Sequence, residues 1–329
     1  MKGLRNVGNT CFLNSCLQIF FEIPELKAAY NKQMPKNAPT IYHVLYHYWY
    51  ALTQEPGPVV NPLEFVKTTH QAAKTKGIEV FTGWAQNDVG EFIRFLLDCF
   101  HTCLQRNVKI HIKGKAETEK DLLATKCYKM LETMYAKEYS EIIDLFYGIS
   151  ISEIKQTPNN IVSQTPEMFF ILDLPIPLVE HQISVYDCLD LYVKEEKLEG
   201  DNAWHNETTG AKEEATKKLR FWNFPKILII ALKRFQISHN HISKIDRYIN
   251  YPERGLNLSR YVEEYYPDKY VYDLFGVCNH MGSVAGGHCT SIVRPYNTDA
   301  WFGCDDAHVQ QIQNTQSQYA YVLFYRKRQ

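Results

Sequence analysis

The spacing of apolar residues changes near residue 145 of the chain. Before that point apolar residues recur with helical periodicity, first from Cys11 to Phe21, then at 41–52 and most regularly at 86–105. Beyond it, short runs rich in Ile, Val, Phe and Tyr alternate with clusters of Gly, Pro and Asn, which is typical of strands. The predicted strands are 145–151, 168–174, 227–235, 270–278, 288–294, 300–304 and 319–326. The pattern predicts an α+β fold, in which the polar segment 195–218 is an exposed hairpin tip or loop.

The first predicted helix places two cysteines in different environments. At about 100° per residue, four of its residues share one polar arc: Cys11, Asn14, Ser15 and Gln18. Cys16 lies on the apolar face, where a cysteine behaves as a small buried hydrophobic residue. Cys11 comes at the first turn, where unpaired backbone N–H groups and the helix dipole stabilise a thiolate and can donate to an oxyanion. Cys11 is therefore the candidate nucleophile, although a lone cysteine at a helix start is seldom catalytic without a base.

A second group of candidate residues lies in a predicted hairpin near the end of the chain. If residues 295–298 form its loop, Arg294 faces Asp299. Counting outward along the two strands, His288 then faces Asp305 on one side of the sheet. A histidine with an acid beside it is an oriented base, because the acid fixes the imidazole tautomer and stabilises the imidazolium. Cysteine and serine hydrolases require such a base.

Other interpretations of this hairpin stay open. A slip of one residue in the register would bring Asp306, rather than Asp305, to His288. His288 and Asp305 could also be an ordinary polar pair at a strand end. The glycines favour a site, because Gly286 and Gly287 place no side chains beside His288 and so suit a narrow channel for another extended backbone.

Composition excludes several classes of function. The 329 residues include 36 basic and 37 acidic side chains, and a formal charge of −1 offers no overall field for nucleic acid or a membrane surface. The sequence has no signal-peptide pattern and no apolar stretch long enough to cross a bilayer, which predicts a soluble intracellular protein. The nine cysteines form no C-x-x-C pair. Free thiols are therefore expected, rather than a disulfide framework or a zinc site of paired cysteine knuckles.

Several segments of the chain resemble the ubiquitin-specific protease family. Residues 3–15, with Gly8-Asn9-Thr10-Cys11 at their centre, are close to a complete cysteine box of that family. The histidine box is matched by Asn279-His280, Gly286-Gly287-His288, Trp301-Phe302 and Asp305-Asp306. Further matches lie at 86–98, 225–235, 249–252 and 320–325. The matching segments follow the order of the family over nearly the whole chain, which is more specific than any single motif.

The resemblance implies a papain-like fold with a helical thumb, a β-rich palm and β fingers that grip ubiquitin. Residues 1–329 would then be one catalytic domain, with the thumb at about 1–140 and the fingers and palm at about 141–329. By position, Cys11 corresponds to the nucleophile, His288 to the base and Asp305 to the acid that orients it.

Further site residues follow from the same resemblance. Asn6 corresponds to the side-chain donor of the oxyanion hole, and Asp306 is expected to support that region. Four residues are expected to line the channel for the C-terminal tail of ubiquitin: Gln86, Asp88, His280 and Gly287.

The activity implied is that of a deubiquitinating thiol protease without a cofactor. Such an enzyme hydrolyses the isopeptide or peptide bond after the C-terminal glycine of ubiquitin through a thioester intermediate. Its partners are ubiquitin and ubiquitinated proteins, with no nucleic acid or membrane among them. Two alternatives stay open, namely an inactive ubiquitin-binding scaffold and a protease for a ubiquitin-like modifier. All three triad residue types and the oxyanion asparagine are present, which favours the active enzyme.

The chain departs from the family pattern in three places. Family members often carry two C-x-x-C knuckles that bind zinc in the fingers, but the matching stretches 152–160 and 203–210 contain no cysteine. No structural zinc and no other metal site is therefore expected. Asn87 and Gly90 replace more usual residues near the predicted tail channel, and Cys289 stands after the histidine where an aromatic residue is common.

Overall fold

The computed structural model describes residues 1–33, 44–45, 57–158, 160–207, 209–238, 241–283 and 286–328. Within them, helices dominate before residue 147 and strands after it, as the sequence pattern predicts. The helices are α1 (Cys11–Phe20), α2 (Pro24–Gln33), α3 (Leu63–Thr75), α4 (Val89–Leu104), α5 (Glu119–Tyr135), α6 (Glu141–Phe146) and α7 (Val185–Tyr192). The helix predicted at 41–52 lies outside the described residues, except for helical residues 44 and 45. None of the helices in the described ranges is both long and apolar enough to cross a membrane.

Most strands follow residue 147 and confirm the α+β class. The first nine strands are β1 (Gly3–Leu4), β2 (Val59–Val60), β3 (Gly148–Thr157), β4 (Asn160–Phe169), β5 (Ile171–Leu174), β6 (Ile183–Ser184), β7 (Glu196–Leu198), β8 (Trp204–His205) and β9 (Lys212–Glu213). They are followed by β10 (Ala215–Asn223), β11 (Ile227–Leu232), β12 (Phe235–Ser238), β13 (His241–Lys244), β14 (Ile249–Asn250), β15 (Arg254–Asn257), β16 (Val271–Ser283), β17 (Gly286–Val293), β18 (Trp301–Asp305), β19 (His308–Ile312) and β20 (Ala320–Lys327).

One large sheet organises the β-rich part. Its strand order is β19-β18-β17-β16-β20-β11-β5, with β15 also paired to β16. Strand β11 pairs in parallel with β5 and antiparallel with β20. All six residues of β11 are buried, as expected for a strand covered on both faces. A second sheet with the order β4-β3-β10-β7 extends from the same part of the chain.

Helix α1 is packed directly onto the large sheet. All ten of its residues are buried. A Cβ atom added to Gly276 of β16 would lie 2.6 Å from Cγ2 of Ile19, so only glycine allows this close approach. The apolar cluster around α1 and α4 covers one face of the sheet, and a second cluster that includes residues of α7 covers the other. The sheet therefore holds the start of α1 in a fixed position beside β17.

Four predicted segments differ from the observed elements. The predicted strands 168–174 and 227–235 are each divided between two strands, the first between β4 and β5 and the second between β11 and β12. The strand predicted at 145–151 begins later, because residues up to Phe146 complete α6 and β3 starts at Gly148. A short apolar run fits a buried helix as well as a strand, so its pattern alone does not separate them. The segment 195–218 contains the predicted hairpin, formed by β8 and β9, but β7 and the start of β10 also pair within it.

Candidate active site

The loop before α1 is folded around the side chain of Asn6. The Asn6 Oδ1 atom accepts hydrogen bonds from Gly8 N at 3.0 Å and from Thr10 N at 3.3 Å. Gly8 and Asn9 both have positive φ angles, 125° and 52°, which glycine and asparagine tolerate best. Thr10 is the N-cap residue of α1. This turn makes Cys11 the first helical residue, as predicted, where the leading N–H groups of a helix have no intrahelical acceptor.

The polar arc of α1 is buried, although its pattern suggests an exposed edge. Asn14 is 1% exposed and Gln18 is 3% exposed. Their side chains satisfy polar groups of the protein, because Gln18 Nε2 donates to Lys2 O at 2.8 Å and Asn14 Nδ2 donates to Asp306 Oδ1 at 2.8 Å. The opposite face behaves as predicted, since Cys16 is fully buried and burial raises the pKa of its thiol.

The structure brings His288 and Asp305 together. The distance from His288 Nε2 to Asp305 Oδ1 is 2.6 Å, and both side chains are partly exposed. An ionised carboxylate only accepts hydrogen bonds, so Nε2–H of His288 is the donor. The other ring nitrogen, Nδ1, is thereby left to interact with Cys11.

The predicted hairpin register is wrong by two residues. Strand β17 pairs with β18 through Ser291↔Cys304, Ile292↔Gly303 and Val293↔Phe302, which would place Arg294 opposite Trp301 rather than Asp299. Arg294 lies with its guanidinium 5.4 Å from the Trp301 ring centre, and Asp299 instead binds Arg254 at 2.6 Å. These contacts lengthen the connection between the strands. Because side chains alternate with a period of two, a shift of two residues keeps His288 and Asp305 on the same face, as diagonal neighbours.

The surroundings of Cys11 favour its thiolate. Its pKa is lowered from 9.0 to about 6, chiefly because the Cys289 thiol donates a hydrogen bond to it, with smaller contributions from the Cys289 backbone N–H and the charge of His288. Burial lowers the pKa of His288, but the hydrogen bond with Asp305 and the charge of Cys11 outweigh it and raise the pKa overall. Because the lowered pKa of Cys11 lies below the raised pKa of His288, a thiolate and an imidazolium coexist at pH values between the two, which is the ionisation state that a cysteine nucleophile requires.

Asp306 ties the predicted oxyanion donor to the helix that carries Cys11. Asn6 Nδ2 donates to Asp306 Oδ2 at 2.8 Å, and Asn14 Nδ2 donates to Asp306 Oδ1, also at 2.8 Å. The backbone oxygen of Asp306 accepts from Leu4 N at 2.8 Å. A carboxamide has two N–H donors, so one N–H of the exposed Asn6 side chain is held by Asp306 while the other can reach a substrate oxygen.

The four predicted tail-binding residues lie around one cleft of about 590 Å³ that also contains Cys11. Gln86, Asp88, His280 and Gly287 all line it. Burial lowers the pKa of His280, so this ring is neutral around pH 7. Asp88 caps α4 by accepting a hydrogen bond from Glu91 N at 2.9 Å and accepts a second from Tyr321 Oη at 2.6 Å. A larger hollow, of about 930 Å³, lies elsewhere, but no cysteine or histidine is found among the described residues that line it.

Gly287 is required at its position for a reason that the sequence does not reveal. A Cβ atom there would lie 2.5 Å from His280 Nε2 and 2.6 Å from Met281 O. The backbone of Gly287 is also bound across the cleft, since Gln86 Nε2 donates to Gly287 O at 2.8 Å and Gly287 N donates to Gln86 Oε1 at 3.0 Å. Gln86 thus pairs with Gly287 as a neighbouring strand would.

The site does not resemble a metal centre. Within the described part of the chain, the one group of clustered ligand atoms belongs to His288, Asp305 and Asp306, within 4.8 Å of one another. These groups are already hydrogen-bonded, because His288 bonds to Asp305 while both carboxylate oxygens of Asp306 accept from Asn6 and Asn14. The cluster is explained by those bonds alone.

Comparison with known proteins identifies the family. The family model described as ubiquitin carboxyl-terminal hydrolase matches residues 2–325. The chain belongs to the ubiquitin carboxyl-terminal hydrolase family. Ubiquitin carboxyl-terminal hydrolase 2 of Homo sapiens is 33% identical to it over 341 residues, which cover 99% of this chain and 55% of that protein. The protein of the same name from Gallus gallus is 32% identical, over 99% of this chain and 93% of that protein.

A solved structure supports the same family membership. The SAGA Ubp8/Sgf11/Sus1/Sgf73 DUB module bound to ubiquitin aldehyde is similar with a TM-score of 0.74 and 25% identity, over 100% of this chain and 70% of that chain. The fold predicted from the resemblance to ubiquitin-specific proteases is thereby confirmed. The chain spans about half the length of the human relative.

Two residues at the site of this ubiquitin carboxyl-terminal hydrolase family member were not predicted from the sequence. Asn14 holds Asp306, and its place beside Cys11 on the polar arc of α1 was the available signal. Cys289 contacts the sulfur of Cys11. Its signal in the sequence was the replacement of an aromatic residue directly after His288.

Proposed function

We propose that the protein is a deubiquitinating thiol protease that hydrolyses the isopeptide or peptide bond after the C-terminal glycine of ubiquitin. The proposal is supported most directly by His288, which bonds to Asp305 at 2.6 Å and lies near enough to Cys11 for their charges to interact, in a chain of this family. In this proposal Cys11 is the nucleophile, His288 the base and Asp305 the acid that orients it. The structural neighbour bound to ubiquitin aldehyde supports ubiquitin as the substrate.

The proposed reaction begins with the thiolate of Cys11, which attacks the carbonyl carbon of the terminal glycine. The oxyanion accepts hydrogen bonds from the free N–H of Asn6 and from backbone N–H groups at the start of α1. His288, protonated on Nδ1, gives its proton to the leaving lysine amine, and a thioester remains on Cys11. His288 then accepts a proton from water, which attacks the thioester and releases ubiquitin. Asp305 holds the ring in position through both steps.

The tail of ubiquitin is proposed to occupy the cleft lined by Gln86, Asp88, His280 and Gly287. That tail ends in a glycine, which places no side chain beside the proposed nucleophile. The bond between Gln86 and Gly287 crosses this cleft, so entry of the tail requires it to rearrange or to form part of the wall.

We further propose that residues 1–329 act as one catalytic domain, with the thumb at about 1–140 and the fingers and palm at about 141–329. The division is supported by the change from helices to strands near residue 147. Zinc in the fingers is not part of the proposal, since the stretches that match the family's zinc knuckles contain no cysteine.

A ubiquitin probe with a thiol-reactive group at its C-terminus tests this function. The wild-type protein is expected to form a covalent adduct, and Cys11→Ala is expected to form none while keeping its circular dichroism spectrum. Cys103→Ala is the matched control, because Cys103 is less buried than the other cysteines and is remote from the cleft. Folded wild-type protein without an adduct would favour the inactive scaffold, and adduct formation with a ubiquitin-like probe alone would favour the other modifier.

A further inference from the structure

A second thiol lies at the proposed reaction centre. Cys289 follows His288 on β17 and lines the same cleft as Cys11. Helix α1, which begins at Cys11, packs against β17, and the thiol and the backbone N–H of Cys289 both act on the Cys11 sulfur. Cys289 is 5% exposed and Cys11 is 4% exposed, so both thiols are buried in the wall of the same cleft.

The other cysteines near Cys11 have different neighbours. Cys16 lies on the opposite face of α1, fully buried, where it interacts with Cys278. Cys278 in turn is bonded to Ser15 and is also fully buried. Among the sulfurs of the described residues, Cys289 is therefore the partner that the structure places against Cys11.

We propose that Cys11 and Cys289 form a site of reversible oxidation, in which a hydroperoxide converts the two contacting thiols into a disulfide that blocks the nucleophile. The proposal rests on the proposed function only in that it needs a reactive sulfur at Cys11. It makes Cys289 the resolving cysteine, which reacts with the sulfenic acid of Cys11 before that acid is oxidised irreversibly to sulfinic acid.

The chemistry balances with hydrogen peroxide as the oxidant. The Cys11 thiolate attacks one peroxide oxygen, the O–O bond breaks, and the hydroxide released takes a proton, which yields Cys11 sulfenic acid and water. The Cys289 sulfur then attacks the Cys11 sulfur and displaces the sulfenic oxygen. With the proton from Cys289, that oxygen leaves as a second water. Each cysteine sulfur has lost one electron and the peroxide has gained two, and a dithiol reverses the cross-link by exchange.

The interaction with the Cys11 thiolate opposes ionisation of the Cys289 thiol until Cys11 is oxidised. While Cys11 is a thiolate, Cys289 is held protonated. The hydrogen bond with Cys11 raises the pKa of Cys289 most, burial raises it further, and the negative charge of Cys11 adds a third, smaller contribution. A sulfenic acid is neutral, so the charge that opposed ionisation is gone.

The test uses the full chain, treated with hydrogen peroxide and then alkylated, digested and analysed by mass spectrometry. Wild-type protein is expected to yield a peptide pair joined through Cys11 and Cys289, to lose adduct formation with the ubiquitin probe, and to regain it after dithiothreitol. Cys289→Ser is expected to yield no joined pair, to accumulate Cys11 sulfinic acid and to stay inactive after dithiothreitol. Cys103→Ser, the matched control, is expected to behave as wild type.

Two outcomes would overturn the proposal. One is the formation of sulfinic acid at Cys11 in the wild-type protein as fast as in Cys289→Ser. The other is a cross-link from Cys11 to a cysteine other than Cys289. The peptide map of wild type alone is decisive if Cys289→Ser does not fold. Failure of the proposed function is seen separately, since a reduced protein that never reacts with the ubiquitin probe can still show the Cys11–Cys289 cross-link in its digest.

Discussion

Cys11 ionises more readily than an ordinary thiol because of the groups that its sulfur touches. The Cys289 thiol contributes most, and burial opposes the effect. His288 changes in the opposite direction, with a raised pKa. The two shifts together widen the pH range in which thiolate and imidazolium coexist. Activity should fall at low pH as the thiolate gains a proton, and at high pH as the imidazolium loses one.

The rate at which iodoacetamide alkylates Cys11 should therefore reach half its plateau near pH 6, since the pKa of Cys11 is lowered to about 6. Below that pH the sulfur is protonated and reacts slowly. In Cys289→Ala the largest contribution is removed, so the midpoint should move to higher pH. The control is the unfolded protein, in which the midpoint should return toward the ordinary value of 9.0. An unchanged midpoint in the variant would show that Cys289 does not bond to the thiolate.

Asp305 is the acid that the structure places against His288, and Asp305→Asn should lower kcat on the order of 10²–10⁴-fold because the ring loses its oriented, charged partner. The steady-state rate of cleavage of a fluorogenic ubiquitin substrate measures this change in kcat. Asp299→Asn is the matched control on the same hairpin, where the acid binds Arg254 instead, and should leave kcat nearly unchanged. Equal losses in both variants would point to damage to the hairpin rather than to the base.

Gly287→Ala should raise KM for the same substrate, because its Cβ atom would displace His280 from the cleft wall. Gly286→Ala provides the comparison, since the nearest atom to its Cβ is Gln86 Oε1 at an ordinary 3.6 Å. We expect its effect to be clearly smaller. A larger effect at Gly286 would mean that room for the tail, and not the packing of His280, limits this position.

At the scale of elements, the short strand β1 connects the two ends of the proposed site. Gly3 and Leu4 pair with Val59 and Val60 of β2 on one side, and Leu4 N donates to Asp306 O on the other. A Cβ atom on Gly3 would lie 2.1 Å from Ala307 O. This strand therefore sets the distance between Asn6 and the turn that follows Asp305.

Gly3→Ala should destabilise the protein by about 1–3 kcal/mol, the usual cost of forcing a methyl group into a packed site. It should also lower kcat, because Asn6 moves with β1. Thermal unfolding and cleavage kinetics measure the two effects. Gly83→Ala is the control, since its Cβ would have no atom within 4 Å and its φ is ordinary. A stable Gly3→Ala protein with full activity would show that β1 does not position Asn6.

The sequence predicted most elements but not how they pair. Periodicity located α1, α4 and the strands of the large sheet, because local pattern records which face of an element is buried. The hairpin register was wrong by two residues, because it depends on Arg294 and Asp299, which bind Trp301 and Arg254 from other segments. Local pattern contains no information on such contacts.

The same limit applies to the site. The types of residue at Cys11, His288 and Asp305 were readable from pattern and resemblance, and the structure places them together. The hydrogen bond from Asn14 to Asp306 could not be predicted from the sequence, because it joins residues separated by 292 positions. The contact of Cys289 with Cys11 was missed for the same reason, since it crosses from β17 to α1.

In the whole molecule, the large sheet is covered by separate apolar clusters on its two faces. Helix α1 belongs to one cluster and is buried along its full length, whereas strands β8 and β9 contain no buried residue. Backbone amide hydrogens that reach solvent only when the whole core unfolds exchange most slowly.

Hydrogen exchange followed by mass spectrometry should therefore show the slowest exchange in α1 and in β16, and much faster exchange in the β8–β9 hairpin. Peptides from the exposed turn at 113–117 serve as the internal reference for unprotected amides. Exchange in α1 as fast as in the hairpin would contradict the packing of this helix onto the sheet.

The bond between Asn6 and Asp306 joins residues that are 300 positions apart. During synthesis Cys11 leaves the ribosome long before His288, Cys289 and Asp305 exist. A nascent chain that ends before β17 lacks the groups that ionise this sulfur, so its thiol keeps ordinary reactivity. Translation itself thus delays the ionisation of Cys11 until β17 and β18 have emerged and folded, and a chain that ends before them lacks the proposed site.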